Sequence, residues 1–332
     1  MRATDDTGFL REAQWQDKVF NGSWVRPLGG VNPVREPATG EPLTCTGNAD
    51  AADVATACMA AAQAQPAWAA MDPRNKAMIF RAAAGHAEAN FAELSLFVAR
   101  ETGGSLLKGN HEVREAIVLL HQAAGLLSQP HGLLLPSAAG RLSYARRLPH
   151  GVVGVISPFN FPLVLSMRSV APALAAGNAV VLKPDPQTPV SGGFLIARLF
   201  EAAGLPKGLL HVLPGGAVAG EALCLEPRVG MIAFTGSTGA GRKVAETAGR
   251  TLKKIALELG GKNPLIILED ADLELAASNA AWGAWLHQGQ ICMATGRILA
   301  HASIVDELTR LLADKARALR IGNAARGEAD LG

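Results

Sequence analysis

The stretch GVVGVISPFNFPLVLSMRSVAPALAAGNAVVLKP, residues 151–184, decides the fold. It opens on an apolar run of strand length, 151–156, broken by Ser157, Pro158 and Asn160, and it closes on a second run, 178–183. Between them residues 162–176 carry apolar side chains at helical spacing. Two buried strands joined by a helix predict a parallel pair with a right-handed crossover. The rhythm continues downstream, where LLHVL (209–213), VGMIAFTG (229–236) and KKIALEL (253–259) read as strands. PVSGGFLIARLFEAAG and GAGRKVAETAG read as helices in the gaps. Five such strands within residues 151–260 put the chain in the α/β class, with a doubly wound parallel sheet.

Upstream, the first fifty residues hold extended segments, KVFNGSWV followed by the Pro/Gly-rich PLGGVNPVREPATGEPL. Helical spacing takes over after Asp50 and predicts helices over 51–64, 73–101 and about 109–127. A short polar strand pair is expected around 141–148. Beyond Gly261 a new unit begins: strand NPLIIL, a helix from Leu273, a loop at Cys292, strand RILAH and a last helix over 304–318. The chain therefore divides into an N-terminal helical part of the doubly wound domain (1–137), a strand arm (138–150), the sheet itself (151–260) and the start of a further α/β domain (261–332).

At 332 residues, 49% hydrophobic and 18% charged, the chain can bury sizeable cores, which excludes a disordered protein. A net charge of +2 gives no basis for a nucleic-acid partner, and Arg141, Arg146 and Arg147 read as a solvated strand face. The most apolar stretch, 151–165, is interrupted by Pro158, Asn160 and Pro162 and does not suit a membrane span. The N-terminal MRATDDTGFLREAQ lacks the apolar run of a signal peptide. Cys45, Cys58, Cys224 and Cys292 make no CxxC pair, and only Cys292 has a histidine nearby, His287. Neither a metal site nor a disulfide framework is expected, and the cytoplasm is the expected compartment.

Doubly wound sheets bind ligands at the carboxyl ends of their strands. The GxGxxG fingerprint is absent there; Gly236, Gly239 and Gly241 are spaced GxxGxG within FTGSTGAGR. Glycine lets a backbone approach a phosphate, and Ser237 and Thr238 suit the cap of a helix whose N–H groups point outward. SPFNFP (157–162), PALAAGNAVVLKP (172–184), FTGSTGAGR (234–242), LELGGKNP (257–264) and GQICMATGR (289–297) follow in that order. Together they resemble the aldehyde dehydrogenase superfamily over nearly the whole chain. KPDPQTP and WLHQGQICMATGR are most similar to its benzaldehyde dehydrogenase branch, whose members oxidise aromatic aldehydes.

The resemblance implies a cysteine mechanism. Cys292 stands at the nucleophile's position, where a thiolate adds to the aldehyde carbonyl and the resulting oxyanion expels hydride. Asn160 stands where the family donates a side-chain amide to that oxyanion, with the backbone N–H of Cys292 as second donor. Glu258 stands where a carboxylate activates the water that hydrolyses the thioester. At the end of an apolar strand it is expected to be partly desolvated, which would raise its pKa. Lys183 matches the lysine that bonds the adenosine ribose; Gly236 and Ser237 would meet the pyrophosphate, and Phe159 the nicotinamide side. Ser157, Pro158, Gly216 and Leu259 complete the implied cofactor contacts. NAD is the expected cofactor. NADP stays open, because Pro186 stands where many NAD-specific relatives carry a glutamate, with Asp185 as a partial substitute.

Phe161, Leu165, Leu286, Ile291 and Met293 flank the catalytic positions and are expected to form an apolar substrate pocket. Lys262 is given no chemistry, and Arg168 is a weak candidate anchor for a substrate carboxylate. Three rivals stand beside the aromatic aldehyde: an aliphatic aldehyde, coenzyme A in place of water as acyl acceptor, and a non-catalytic fragment. The resemblance further implies a homodimer or homotetramer assembled through the strand arm. It also implies a chain that ends inside its catalytic domain and is poorly active or insoluble alone.

Overall fold

The computed structural model describes residues 8–332. A short helix α1 (Glu12–Trp15) precedes the hairpins β1 (Val19–Asn21)–β2 (Trp24–Val25) and β3 (Val31–Arg35)–β4 (Pro42–Gly47). Four helices follow: α2 (Ala51–Ala70), α3 (Pro73–Ala89), α4 (Phe91–Thr102) and α5 (Leu106–Leu126). A hairpin, β5 (Gly132–Leu135) and β6 (Ser143–Arg146), leads into the doubly wound unit. That unit runs β7 (Val152–Ile156), α6 (Pro162–Ala175), β8 (Ala179–Lys183), a π-helical turn at Val190–Phe194, α7 (Leu195–Ala202), β9 (Leu210–Val212), α8 (Ala217–Leu225), β10 (Val229–Gly236), α9 (Thr238–Gly249) and β11 (Lys254–Leu259). Beyond it lie β12 (Asn263–Ile267), α10 (Leu273–Trp285), β13 (Thr295–Ala300) and α11 (Val305–Ala318).

All five expected apolar runs are strands of one sheet, ordered β11-β10-β7-β8-β9-β1-β2 and parallel from β11 to β9. β1 adds antiparallel to β9, with β2 beyond it. Every residue of β7 and β8 is buried, as expected of central strands covered by helices on both faces. From β7 the chain winds outward through β8 and β9, then returns to lay β10 on the other side of β7. The β7/β10 boundary is thus the switch point, where the carboxyl ends of neighbouring strands open a crevice.

Three segments depart from the sequence reading. α2 continues through Pro66 to Ala70, because Trp68 is buried and its indole N–H donates to the Leu174 carbonyl at 2.8 Å. The stretch 73–101 is two helices, not one. It breaks at Asn90 (φ −114, ψ 22), whose side chain donates to the His86 carbonyl at 2.8 Å and competes with the backbone. The strand arm starts at Gly132, ahead of the expected 138, and is less polar than expected: Leu133, Leu134 and Tyr144 are exposed.

Most buried apolar side chains join one large core around the sheet and helices α2–α8. A smaller core, centred on Ile267, Ala277, Ile304 and Leu308, serves the parallel pair β12–β13 and helices α10 and α11. Within the large core His211, on β9, is fully buried; its Nε2 lies 2.9 Å from the Gly208 carbonyl and its Nδ1 faces the Asn21 side chain. Burial pushes its pKa down to about 4, against the opposing pull of that carbonyl. The folded chain therefore holds a neutral imidazole, whereas the unfolded chain takes up a proton below about pH 6.5. Stability is complete above that value and falls as the pH drops toward 4, by about 2 kcal/mol at pH 5. His211→Gln should flatten the fall in urea midpoint between pH 7 and pH 5, even if it lowers both midpoints.

Candidate active site

A cavity of about 940 Å³ opens at the switch point. Residues 156–160 at the end of β7, Lys183 and Asp185 at the end of β8, Thr235, Gly236 and Ser237 at the end of β10 and residues 258–261 at the end of β11 line it. The loop 289–292 closes one end, so Cys292, Asn160 and Glu258 all face one space. Ser157, Pro158, Phe159, Lys183, Gly216, Gly236, Ser237 and Leu259 line the same cavity.

At its other end the cavity runs between α8 and α9, past Gly220, Cys224, Ala240 and Val244. Ser237 caps α9 by accepting from the Ala240 N–H at 3.3 Å. Gly241 lets that helix sit tightly on β11, since a Cβ there would meet the Leu259 side chain at 2.5 Å. Lys183 is buried and donates to the carbonyls of Gly215 (2.7 Å) and Pro184 (3.1 Å). Burial lowers its pKa while the Asp185 carboxylate pulls the other way. Ser157 accepts from the Ser166 hydroxyl at 2.7 Å, which fixes the turn leaving β7.

Two side-chain amides tie these loops together. Asn160 donates from Nδ2 to the Gln290 carbonyl at 2.8 Å, joining the turn after β7 to the cysteine loop. Asn263, at the start of β12, donates to the carbonyls of Cys292 (2.9 Å) and Ala294 (3.1 Å). Asn263 was not among the expected site residues; its signal in the sequence is an amide directly after Gly260-Gly261-Lys262 in LELGGKNP. Ahead of Cys292, His287, Gln288 and Gly289 are all left-handed (φ 49, 58 and 71). For the two non-glycine residues that conformation costs about 1–2 kcal/mol each. Burial of the His287 ring against Phe161, 5.4 Å away at 77°, holds the turn in place. Burial, with the Lys108 charge nearby, pushes His287 down to about 3, so it is neutral near pH 7 and offers Cys292 no positive charge.

Several expectations need correction. Glu258 is exposed rather than desolvated, because β11 is the edge strand of its sheet and pairs only with β10. Of the five apolar residues assigned to a substrate pocket, Leu165 and Ile291 line the cavity, and Phe161, Leu286 and Met293 do not. Phe161 turns away to pack against His287 and Lys108; Met293 points outward, 77% exposed; Leu286 sits half-buried before the left-handed turn. Arg168 is exposed on α6 and lines no part of the cavity. Among the described residues no helix is long and apolar enough to cross a membrane, and no cluster of three metal-ligating side chains forms.

A sheet of this topology, with a thiol loop at its switch point, places the chain among the dinucleotide-groove α/β folds. More narrowly, the chain belongs to the aldehyde dehydrogenase family, which it matches over residues 24–332. It is 54% identical over 324 residues to vanillin dehydrogenase of Amycolatopsis sp., covering 98% of this chain and 67% of that protein. It is 51% identical over 319 residues to the NAD(+) benzaldehyde dehydrogenase of Pseudomonas putida, covering 96% and 66%. The crystal structure of an NAD-dependent benzaldehyde dehydrogenase from Corynebacterium glutamicum superposes with a TM-score of 0.87 at 39% identity, covering 92% of this chain and 68% of that one. The chain thus spans about two thirds of the length of these relatives.

Proposed function

We propose that this chain carries the cofactor groove and nucleophile of an enzyme that oxidises an aromatic aldehyde to its carboxylic acid with NAD. One observation carries the reading: a single cavity joins Cys292, Asn160 and Glu258 to a groove walled by glycines, a buried lysine and a helix start. The groove fits a dinucleotide. Lys183 spends two N–H bonds on backbone carbonyls and keeps the third for a ribose hydroxyl. The start of α9, capped by Ser237, suits a pyrophosphate. The gap between α8 and α9 suits a flat base, and Phe159, Pro158 and Ser157 lead from it toward Cys292. Bound in this groove, the nicotinamide supplies the hydride acceptor.

The chain's own residues divide the remaining work. The Cys292 thiolate forms the carbon–sulfur bond to the carbonyl. The Asn160 amide, with one proton held by the Gln290 carbonyl, presents its second proton to the oxyanion beside the Cys292 N–H. Glu258 takes a proton from the water that cleaves the thioester, and its exposure gives that water a path. This favours hydrolysis over transfer to coenzyme A. Leu165 and Ile291 offer apolar contact to an aromatic ring, in keeping with the names of the relatives. The exposed leucines of β5 fit a homodimer or homotetramer arm. The four free cysteines fit the cytoplasm.

The test is reduced-cofactor formation by the purified protein with benzaldehyde, vanillin and hexanal. Aromatic substrates should exceed hexanal by at least about tenfold in kcat/KM, with the free acid as product whether or not coenzyme A is present. Preference for hexanal would remove the aromatic assignment, and a coenzyme A thioester as product would remove the hydrolytic one. Pro186 puts no carboxylate against a 2′-phosphate, so NADP should support turnover within about a hundredfold of NAD; a larger gap would assign the guard to Asp185.

A further inference from the structure

Beneath the cavity, α5 carries two charged side chains into the protein interior. Lys108 and Glu112 are one helical turn apart, with Nζ and Oε1 in contact at 2.6 Å, although not aligned as a hydrogen bond, and both side chains are almost wholly buried. Such a pair gives little net stability over apolar packing of the same volume. What it offers is direction. The other oxygen of Glu112 accepts from the N–H groups of Leu163 (3.0 Å) and Val164 (3.2 Å). These are the second and third residues of α6, whose first, Pro162, has no N–H to satisfy, and whose cap residue, Phe161, offers no side-chain acceptor. Glu112 therefore does from a distant helix what a capping side chain does locally.

The position of that cap matters. Asn160 lies two residues before α6, so the cap fixes the chain immediately after it. Lys108 holds the same segment from the other side: its Nζ lies 4.8 Å from the centre of the Phe161 ring. Phe161 in turn packs on His287, at the base of the cysteine loop. Asn160 itself makes one side-chain hydrogen bond, to Gln290, and its buried Oδ1 finds no partner, so its amide is held at one end only.

We propose that Glu112, backed by Lys108, is the positioning residue for the oxyanion donor Asn160. The proposal rests on the role given to Asn160 above. Glu112 touches neither substrate nor cofactor; it acts through the start of α6.

Acylation of Cys292 by p-nitrophenyl acetate tests this without any cofactor. The thiolate attacks the ester carbonyl, an oxyanion forms and p-nitrophenolate leaves. Alkylation of the same thiol by iodoacetamide forms no oxyanion and serves as the control. Asn160→Ala should slow acylation by about a hundredfold, and Glu112→Ala by about tenfold or more, with alkylation within about twofold in both. The double variant should be no slower than Asn160→Ala alone. Glu112→Gln, which keeps one acceptor oxygen, should recover part of the loss and carries the same cycle if the alanine variant does not fold. Losses that multiply in the double variant would overturn the proposal, as would equal slowing of both reagents by either Glu112 variant. Normal alkylation without acylation in the unsubstituted protein would remove the oxyanion role of Asn160, and this proposal with it.

Discussion

Cys292→Ala is expected to lower aldehyde oxidation by at least about 10⁴-fold while leaving the fold intact. The loss is large because no other thiol can take over. Cys58 and Cys224 are buried, and burial pushes them up to about 12 and about 11, so neither supplies thiolate near neutral pH. Cys224 does line the cavity, but from α8, in the groove assigned to the cofactor. Cys45 lies on β4, away from it. The fold should survive because the Cys292 side chain is exposed, and its backbone carbonyl is held by Asn263 whatever the side chain. Melting temperature and NAD affinity measured on the variant separate loss of chemistry from loss of structure. Retention of more than about 1% of activity with an unchanged melting point would show that the thiol is not the nucleophile.

The parallel sheet was legible because its central strands are buried on both faces and so must be apolar at nearly every position, as in VVGVI and AVVLK. Cys292, Asn160 and Glu258 were legible as candidates because each lies in a motif whose neighbours are recognisable in sequence, two in loops and Glu258 at the end of β11. What stayed hidden depends on partners far along the chain. The break at Asn90 keeps helical spacing on both sides, so periodicity sees no interruption. Pro66 argues for a helix end, and the bonds that override it reach more than a hundred positions away, from Trp68 to Leu174 and from Gln65 to Gly177. The exposure of Glu258 follows from the edge position of β11, which strand composition does not encode. Lys108 and Glu112 read as ordinary charges on a helix until α6 is seen to begin against them. Phe161 left the expected pocket for the same reason: a buried cation draws its ring inward.

Glu258→Gln should divide the reaction in two. If Glu258 activates water for thioester hydrolysis, the steps up to the thioester do not need it. The variant should then release one equivalent of NADH per site in a rapid burst, followed by a steady rate lowered by about 10²–10³-fold. The burst should leave an acyl adduct on Cys292 visible by mass spectrometry, and hydroxylamine, which needs no general base to attack a thioester, should restore turnover. Glutamine keeps the size of the side chain, and position 258 is exposed, so repacking is a poor explanation for such a loss. Loss of the burst along with the steady rate would mean that Glu258 acts earlier, taking the proton from the Cys292 thiol. An unchanged steady rate with no adduct would place water activation on another group of the cavity, and the exposed edge of β11 would then be a wall of the site rather than its base.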